Sequence, residues 1–292
     1  MVLPSGCRPD VVAASVCCAP SRGRAMAEQA QSTGRGWNPK QYDRFRDERR
    51  QPFYDLAGLV RPEPNMRVVD LGCGTGELTA WLHGELKARE TLGVDHADAM
   101  LAESGAFAGN GVSFEKADII QFVDRHRGQF DLVFSNAALQ WVTGHETIIP
   151  RVLELARPGG QVAIQMPANL NHVSHRLAAE IASEEPFRTA LDGWIREDPV
   201  RTAEWYAELL HRAGLVEQRV RLEIYGHQLA STRGIVEWVK GSILTAYTSR
   251  LPEEMVAPFL ERYEAVLVER LGDRAPYFYA FPRVLLWGRL LG

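Results

Sequence analysis

A glycine-rich turn between a strand and a helix constrains this chain most strongly. The stretch VVDLGCGTGELTAWL, residues 68–82, begins as a short apolar strand and continues into a helical pattern. Its glycines, Gly72, Gly74 and Gly76, have the spacing G-x-G-x-G, one residue short of the dinucleotide fingerprint. Because glycine has no Cβ, such a turn lets the backbone approach a ligand closely, which predicts a nucleotide-type ligand at the start of an α/β sheet.

Strand and helix patterns alternate along most of the chain. Strands are predicted at 66–72, 91–95, 112–118, 130–137 and 161–167, with helical patterns after the first, second and fourth of these strands and a leading helix at 38–59. This alternation predicts an α/β fold with a Rossmann-like, doubly wound, mostly parallel sheet. Farther on, helical patterns at 172–185, 202–214, 232–248 and 252–271 accompany two last strands at 217–229 and 279–290.

The helical segments of the second half exceed what a loop requires. Some forty residues of helical pattern separate the last two strands. We predict a helical lid, with segments around 170–200 and 231–272, over the edge of the sheet where ligands bind in open α/β folds. Residues 37–292 then form one domain, and the Ala/Ser/Gly-rich residues 1–36, which lack periodicity, are expected to be a disordered extension.

Composition excludes several classes of partner. The formal net charge is −4 and the sequence pI is about 6.1, so nothing indicates binding to nucleic acid. No apolar run approaches the roughly 20 residues needed to span a membrane. Cys73 is the one cysteine outside the first eighteen residues, which predicts a reducing, cytoplasmic location, no structural zinc and no bound metal. No obligate protein partner is evident.

Acidic residues around the turn favour a cationic ligand. Asp70 precedes the turn and Glu77 begins the helix, and both carboxylates would repel a pyrophosphate but attract an ammonium or sulfonium group. Asp95 ends the second strand, where an acid usually accepts ribose hydroxyls. Asp118 ends the third strand, where with Ile119 it offers a carboxylate and an apolar face to an adenine.

Three strand-ending acids with this glycine turn resemble the class I S-adenosylmethionine-dependent methyltransferases. The segments WNPKQYDRFRDERRQPFYDL, VVDLGCGTGELT, FSNAALQWV, PGGQVAIQMPAN, IYGHQL, VEWVKGS and AFPRVLLWGR together resemble the trans-aconitate methyltransferase family, from Trp37 to Arg289. The resemblance implies S-adenosylmethionine as cofactor and methylation of one carboxylate of a small organic acid. It implies a cofactor site made of Asp70, Gly72, Cys73, Gly74, Gly76, Asp95, His96, Met100, Asp118, Ile119 and Asn136.

Cations and hydrogen-bond donors are needed to hold such an acid, whereas a catalytic base is not, because a carboxylate is ionised at neutral pH. The predicted substrate-binding residues are Tyr42, Arg49, Gln140, Trp141 and Arg283. Plain packing under the lid is an equal alternative for Trp141, and a structural role with the side chain facing outward is an equal alternative for Arg283. Arg44 and Arg50 are expected on a solvated face. None of His145, His172 and His227 is assigned to catalysis, and Lys240 and Arg250 flank an uncharged stretch of the predicted lid.

Three functions stay open at this point. The first is carboxylate O-methylation of a small acid such as trans-aconitate. The second is methylation of another small acceptor, such as a fatty or polyketide-like acid or a phenol. The third is binding of the cofactor without catalysis. Methylation of exocyclic amines is disfavoured, because Asn136 is followed by Ala-Ala-Leu rather than by a Pro-Pro-aromatic turn.

Overall fold

The computed structural model describes residues 46–169 and 171–292, with only the backbone of residues 46–49. The predicted extension 1–36 and Tyr42 lie outside these residues. The described strands are β1 (Arg67–Leu71), β2 (Glu90–Asp95), β3 (Val112–Lys116), β4 (Phe130–Asn136), β5 (Ala156–Pro167), β6 (Leu215–Leu229) and β7 (Tyr277–Leu290).

Eleven α-helices accompany these strands within the described residues. They are α1 (Arg46–Ala57), α2 (Glu77–Leu86), α3 (Asp98–Ser104), α4 (Ile119–Arg125), α5 (His145–Leu153), α6 (Val173–Ala182), α7 (Phe187–Ala190), α8 (Ala203–Arg212), α9 (Gly234–Lys240), α10 (Ile243–Thr248) and α11 (Glu253–Leu271). None of the helices in the described part is long and apolar enough to cross a membrane.

The seven strands form one mixed sheet in the order β3-β2-β1-β4-β5-β7-β6. The five strands from β3 to β5 are parallel, and β7 runs antiparallel between β5 and β6. The strand order reverses between β1 and β4, so the ligand crevice of an open α/β sheet is expected outside the carboxyl ends of these strands. The predicted Rossmann-like α/β sheet is confirmed.

Apolar side chains alternate between the two faces of the sheet, as the pleat requires. Val69 and Val133 pack with α4, α5 and α8 on one face, and their neighbours Val68 and Leu132 pack with α1 and α2 on the other. A third apolar cluster lies among α6, α7, α9, α10 and α11, the helices of the second half. We call this third group the insertion cluster; it includes Tyr279 and Phe281 of β7.

Three local predictions differ from the structure. The helix α4 was not predicted, because Asp118 was considered only as the end of a strand. Asp118 instead caps this helix of seven residues by accepting the Ile120 N–H at 2.8 Å. The single helix predicted at 232–248 is wrong: Ser242, with φ −143° and ψ −107°, separates α9 from α10. β5 begins earlier than predicted, at Ala156 rather than Gln161.

The insertion cluster should contribute to global stability through Phe259. This ring is fully buried on α11, with its centroid 5.2 Å from Phe187 and 5.8 Å from Tyr247. Phe259→Ala should lower the free energy of unfolding by about 3–5 kcal/mol, the cost of a large buried cavity. Urea denaturation measures this loss. Phe278→Ala, at a ring that is 67% exposed, is the matched control; equal losses in the two variants would contradict the assignment.

Candidate functional site

The glycine turn packs against β3 and against the segment that follows β4. Gly72 and Gly76 have φ of 79° and 82°, a region that favours glycine. A Cβ at Gly72 would lie 2.2 Å from the Cβ of Ala138, and one at Gly76 would lie 2.5 Å from the ring of Phe114. Gly74 differs, because the nearest atom to its added Cβ is Met100 Cε at 3.5 Å. Neighbouring side chains therefore crowd the turn at Gly72 and Gly76 and leave space beside Gly74.

Asp95 organises the backbone beside that open glycine. Its two carboxylate oxygens accept the N–H groups of Gly74 and Ala97, each at 2.9 Å, and the residue is 9% exposed. An ionised carboxylate has about four acceptor positions, so two stay available for hydroxyl donors. The adjacent His96 points into solvent, with a side chain that is 78% exposed.

Burial changes the charge of Asp70. The residue is 2% exposed, and Thr79 donates a 2.6 Å hydrogen bond to its carboxylate. Burial raises the pKa of Asp70 to about 7, with a smaller rise from the charge of Asp95 that the Thr79 bond opposes. Asp70 therefore carries only part of its negative charge near neutral pH.

Arg50 also alters the electrostatics predicted for the turn. Its guanidinium forms an ion pair with Glu77, and its side chain is 22% exposed. The prediction that Arg50 lies on a solvated face is wrong, because α1 packs over the start of α2. The positive charge of Arg50 consequently compensates the negative charge of Glu77, so Glu77 repels phosphate less than the sequence suggested.

Three other predicted cofactor residues lie around the same crevice. Asp118 uses one carboxylate oxygen to cap α4, and the half-buried Ile119 is the first residue of that helix. Cys73 is buried, and burial together with the charges of Asp70 and Asp95 raises the pKa of its thiol well above the usual range. Such a thiol is a poor nucleophile, which leaves its backbone as the part able to contact a ligand.

Two buried polar atoms lack a partner next to the turn. Asn136 Oδ1, at the end of β4, and Gln140 Oε1 are both buried, and neither accepts a hydrogen bond within the described residues. Together with the open Gly74 and the free acceptor positions of Asp95, they suit a ligand with hydroxyl donors and a positive charge. These residues therefore fit S-adenosylmethionine, and they would hold it with Ile119 and Met100 as apolar contacts.

A pocket of about 440 Å³ of empty space, part of it open to solvent, lies beyond Gln140. One wall comes from the segments that follow β4 and β5, and the other comes from the insertion cluster and the segment before α8. The lining residues are Gln140, Trp141, Pro167, Asn169, His175, Arg196, Asp198, Val200, Ser242, Ile243 and Phe281. Its position at the carboxyl ends of β4 and β5 is where open α/β sheets bind their substrates.

Arg196 supplies the positive charge of this pocket. Its side chain is 13% exposed, Nη2 donates to the Gln140 carbonyl at 2.8 Å, and the guanidinium lies 5.1 Å from the Trp141 ring centroid. The sequence did not single out Arg196, because it lies in a segment without periodic structure. His175 is not a second cation, since burial, His172 and Arg196 lower its pKa to about 3.

Only some of the predicted substrate-binding residues line the pocket. Gln140 and Trp141 line the pocket. Arg283 is buried on β7, where Nη1 lies 3.4 Å from Gln165 Oε1, and it is not among the lining residues. Arg49 belongs to α1, but its side chain, like the whole of Tyr42, lies outside what the structure describes.

The histidines and cations of the second half have structural partners. His145 contacts the Tyr206 hydroxyl and the Leu139 carbonyl, and His172 caps α6. His227 stacks on Trp238 with ring centroids 4.3 Å apart. Lys240 pairs with Glu237, and Arg250 lies 3.9 Å from the Trp194 ring centroid. In the described ranges, no group of three or more His, Cys, Asp or Glu residues could hold a metal ion.

Comparisons with known proteins relate this chain to methyltransferases. Residues 68–160 match a family model described as a methyltransferase domain. The chain is 43% identical to a trans-aconitate 2-methyltransferase from Deinococcus radiodurans, over 85% of this chain and 96% of that protein. It is 38% identical to a protein of the same name from Paracidovorax citrulli, over 87% and 98% of the two chains.

The chain belongs to the trans-aconitate 2-methyltransferase family. It is a methyltransferase that uses S-adenosylmethionine. Among solved structures, the YcgJ protein from Bacillus subtilis has the same fold, with a TM-score of 0.54, 15% identity and coverage of 83% of this chain and 99% of that one. At this low identity the likeness concerns the fold alone.

The buried Asp70 should make the cofactor-free enzyme less stable as the pH rises. Its pKa is about 7 in the folded chain against a usual value of 3.8, so the folded state binds more protons between these values. The contribution of Asp70 is complete below about pH 4 and is lost as the pH rises through about 7, with a slope of up to about 1.4 kcal/mol per pH unit.

Urea denaturation of the wild type and of Asp70→Asn, at several values between about pH 5 and pH 8, isolates this effect. The difference in unfolding free energy, wild type minus variant, should decline with rising pH and level off above about pH 8. A difference that does not vary with pH would show that Asp70 titrates normally.

Proposed function

We propose that the enzyme transfers the methyl group of S-adenosylmethionine to a carboxylate of a small organic acid, and that trans-aconitate is the acid. The observation that carries this proposal is the likeness to proteins named trans-aconitate 2-methyltransferase, which extends over nearly their whole length and therefore includes the acceptor side. The product is then the monomethyl ester of the acid.

The pocket chemistry supports a carboxylate acceptor. The cofactor supplies an electrophilic methyl carbon; a carboxylate oxygen forms the new O–C bond while the S–C bond breaks and its electron pair stays on sulfur. No proton has to be removed from an ionised carboxylate, so a neutral His175 and the lack of an assigned base agree with this reaction. The contribution of the protein is to orient the acid and to exclude water.

The same proposal includes a helical lid over the site. The helices α9, α10 and α11 lie between β6 and β7, and Ser242 and Ile243 from this region line the pocket. We propose that they act as a lid together with the segments around residues 170–200. A cytoplasmic location and action without an obligate protein partner, as the sequence predicts, belong to the same proposal.

The acceptor is tested by incubating the enzyme with labelled S-adenosylmethionine and a panel of acids. We expect methyl transfer to trans-aconitate, with a product mass that corresponds to one added methyl group. Citrate, fumarate, a medium-chain fatty acid and a phenol complete the panel. Transfer to the fatty acid or the phenol instead of trans-aconitate would favour another small acceptor, for which the apolar Val200, Ile243 and Phe281 provide a surface. Cofactor binding without any transfer would contradict catalysis.

Asp95 is proposed to accept the ribose hydroxyls of the cofactor. Asp95→Ala should weaken cofactor binding by about 2 kcal/mol, which is the scale of hydrogen bonds to a charged group. Calorimetric titration with S-adenosylhomocysteine measures the affinity. Asp98→Ala is the matched control, because Asp98 lies three residues away with an exposed side chain that pairs with Lys116. Equal affinities for the wild type and a folded Asp95→Ala variant would refute the assignment.

A further inference from the structure

Arg196 has unused hydrogen-bonding capacity inside the acceptor pocket. A guanidinium carries five N–H donors, and within the described residues one of them makes a hydrogen bond, from Nη2 to the Gln140 carbonyl at 2.8 Å. Asp198, which also lines the pocket, forms an ion pair with Arg196: its Oδ2 lies 3.7 Å from Nη1, beyond ordinary hydrogen-bond distance. Asp198 itself accepts the Val200 N–H at 3.2 Å. The guanidinium is therefore held in place, and several of its N–H donors make no hydrogen bond within the described residues.

The surroundings of Arg196 favour recognition of an anion. The side chain is 13% exposed, so a charge pair formed there is screened less than one on the surface. Packing against the Trp141 ring and the bond to the Gln140 carbonyl fix the orientation of the planar fork before any ligand arrives. Among the side chains that line this pocket, Arg196 is the one permanent cation.

We propose that Arg196 binds a second carboxylate of the acceptor, distinct from the carboxylate that is methylated. This inference rests on the proposed function. A guanidinium bound to the reacting carboxylate would withdraw charge from the attacking oxygen, whereas one bound to a remote carboxylate orients the acid without that cost. The substrate class is consequently an acid with at least two carboxylates, and Arg196 selects against monocarboxylates.

The test compares acids with different numbers of carboxylates. Arg196→Met should raise KM for trans-aconitate at least tenfold and change kcat much less, whereas the turnover of crotonate, a monocarboxylate, should stay at the wild-type level. Arg196→Lys should restore part of the loss, because lysine keeps the charge but not the bidentate fork. Arg188→Met is the matched control: its side chain is 62% exposed and pairs with Glu185. Thermal unfolding and S-adenosylhomocysteine affinity verify the fold of each variant.

A binding measurement separates this inference from the proposed function. Titration of trans-aconitate into enzyme saturated with S-adenosylhomocysteine reports acid binding where no methyl transfer can occur. If the wild type binds the acid and Arg196→Met does not, the carboxylate subsite at Arg196 is supported. This holds even if the wild type methylates no acid, a result that would contradict only the proposed function. A KM and an affinity within twofold of wild type would overturn the inference and leave the function standing. An equal loss for crotonate would overturn it as well, since Arg196 would then bind the reacting carboxylate or act through the shape of the pocket.

Discussion

Close packing of backbone at the carboxyl ends of β1, β2 and β4 is the constraint on which the site depends. The turn after β1 leaves no room for a Cβ at Gly72, where Ala138 approaches from the segment after β4, or at Gly76, where Phe114 approaches from β3. The carboxylate of Asp95 completes this arrangement by binding the Gly74 N–H. The turn after β1 and the segment after β4 therefore pack directly against each other, so the position of one constrains the position of the other.

Much of the fold was predictable because its elements have local patterns. Buried parallel strands appear as short apolar runs and the helices between them as periodic stretches, which was enough to predict the Rossmann-like sheet. α4 was missed because Asp118 was considered only as a ligand residue, although an acid before IIQFVDR is also a helix cap. The interruption at Ser242 was missed because the apolar pattern continues across it, although Gly241 at the end of α9 is a helix-stop signal.

The two ends of the site differ in how far sequence could predict them. The cofactor end follows from residues next to strand ends, whose neighbours are set by the parallel sheet. Charge at that end was harder to predict, because the burial of Asp70 and the pairing of Glu77 with Arg50 arise only in three dimensions. The acceptor end combines segments distant in sequence: Arg196 meets Gln140, 56 residues away, from a stretch without regular structure.

The last strand, β7, contributes side chains to all three apolar clusters. Tyr279 and Phe281 in its first half pack in the insertion cluster, and Val284 and Leu286 in its second half pack under the central sheet. The helices of the insertion cluster consequently do not form an exchangeable module. Recombination between relatives that replaced them would also replace part of a strand that the sheet needs. Divergence in acceptor preference within this fold should therefore proceed by single side-chain replacements around the pocket rather than by the transfer of whole segments.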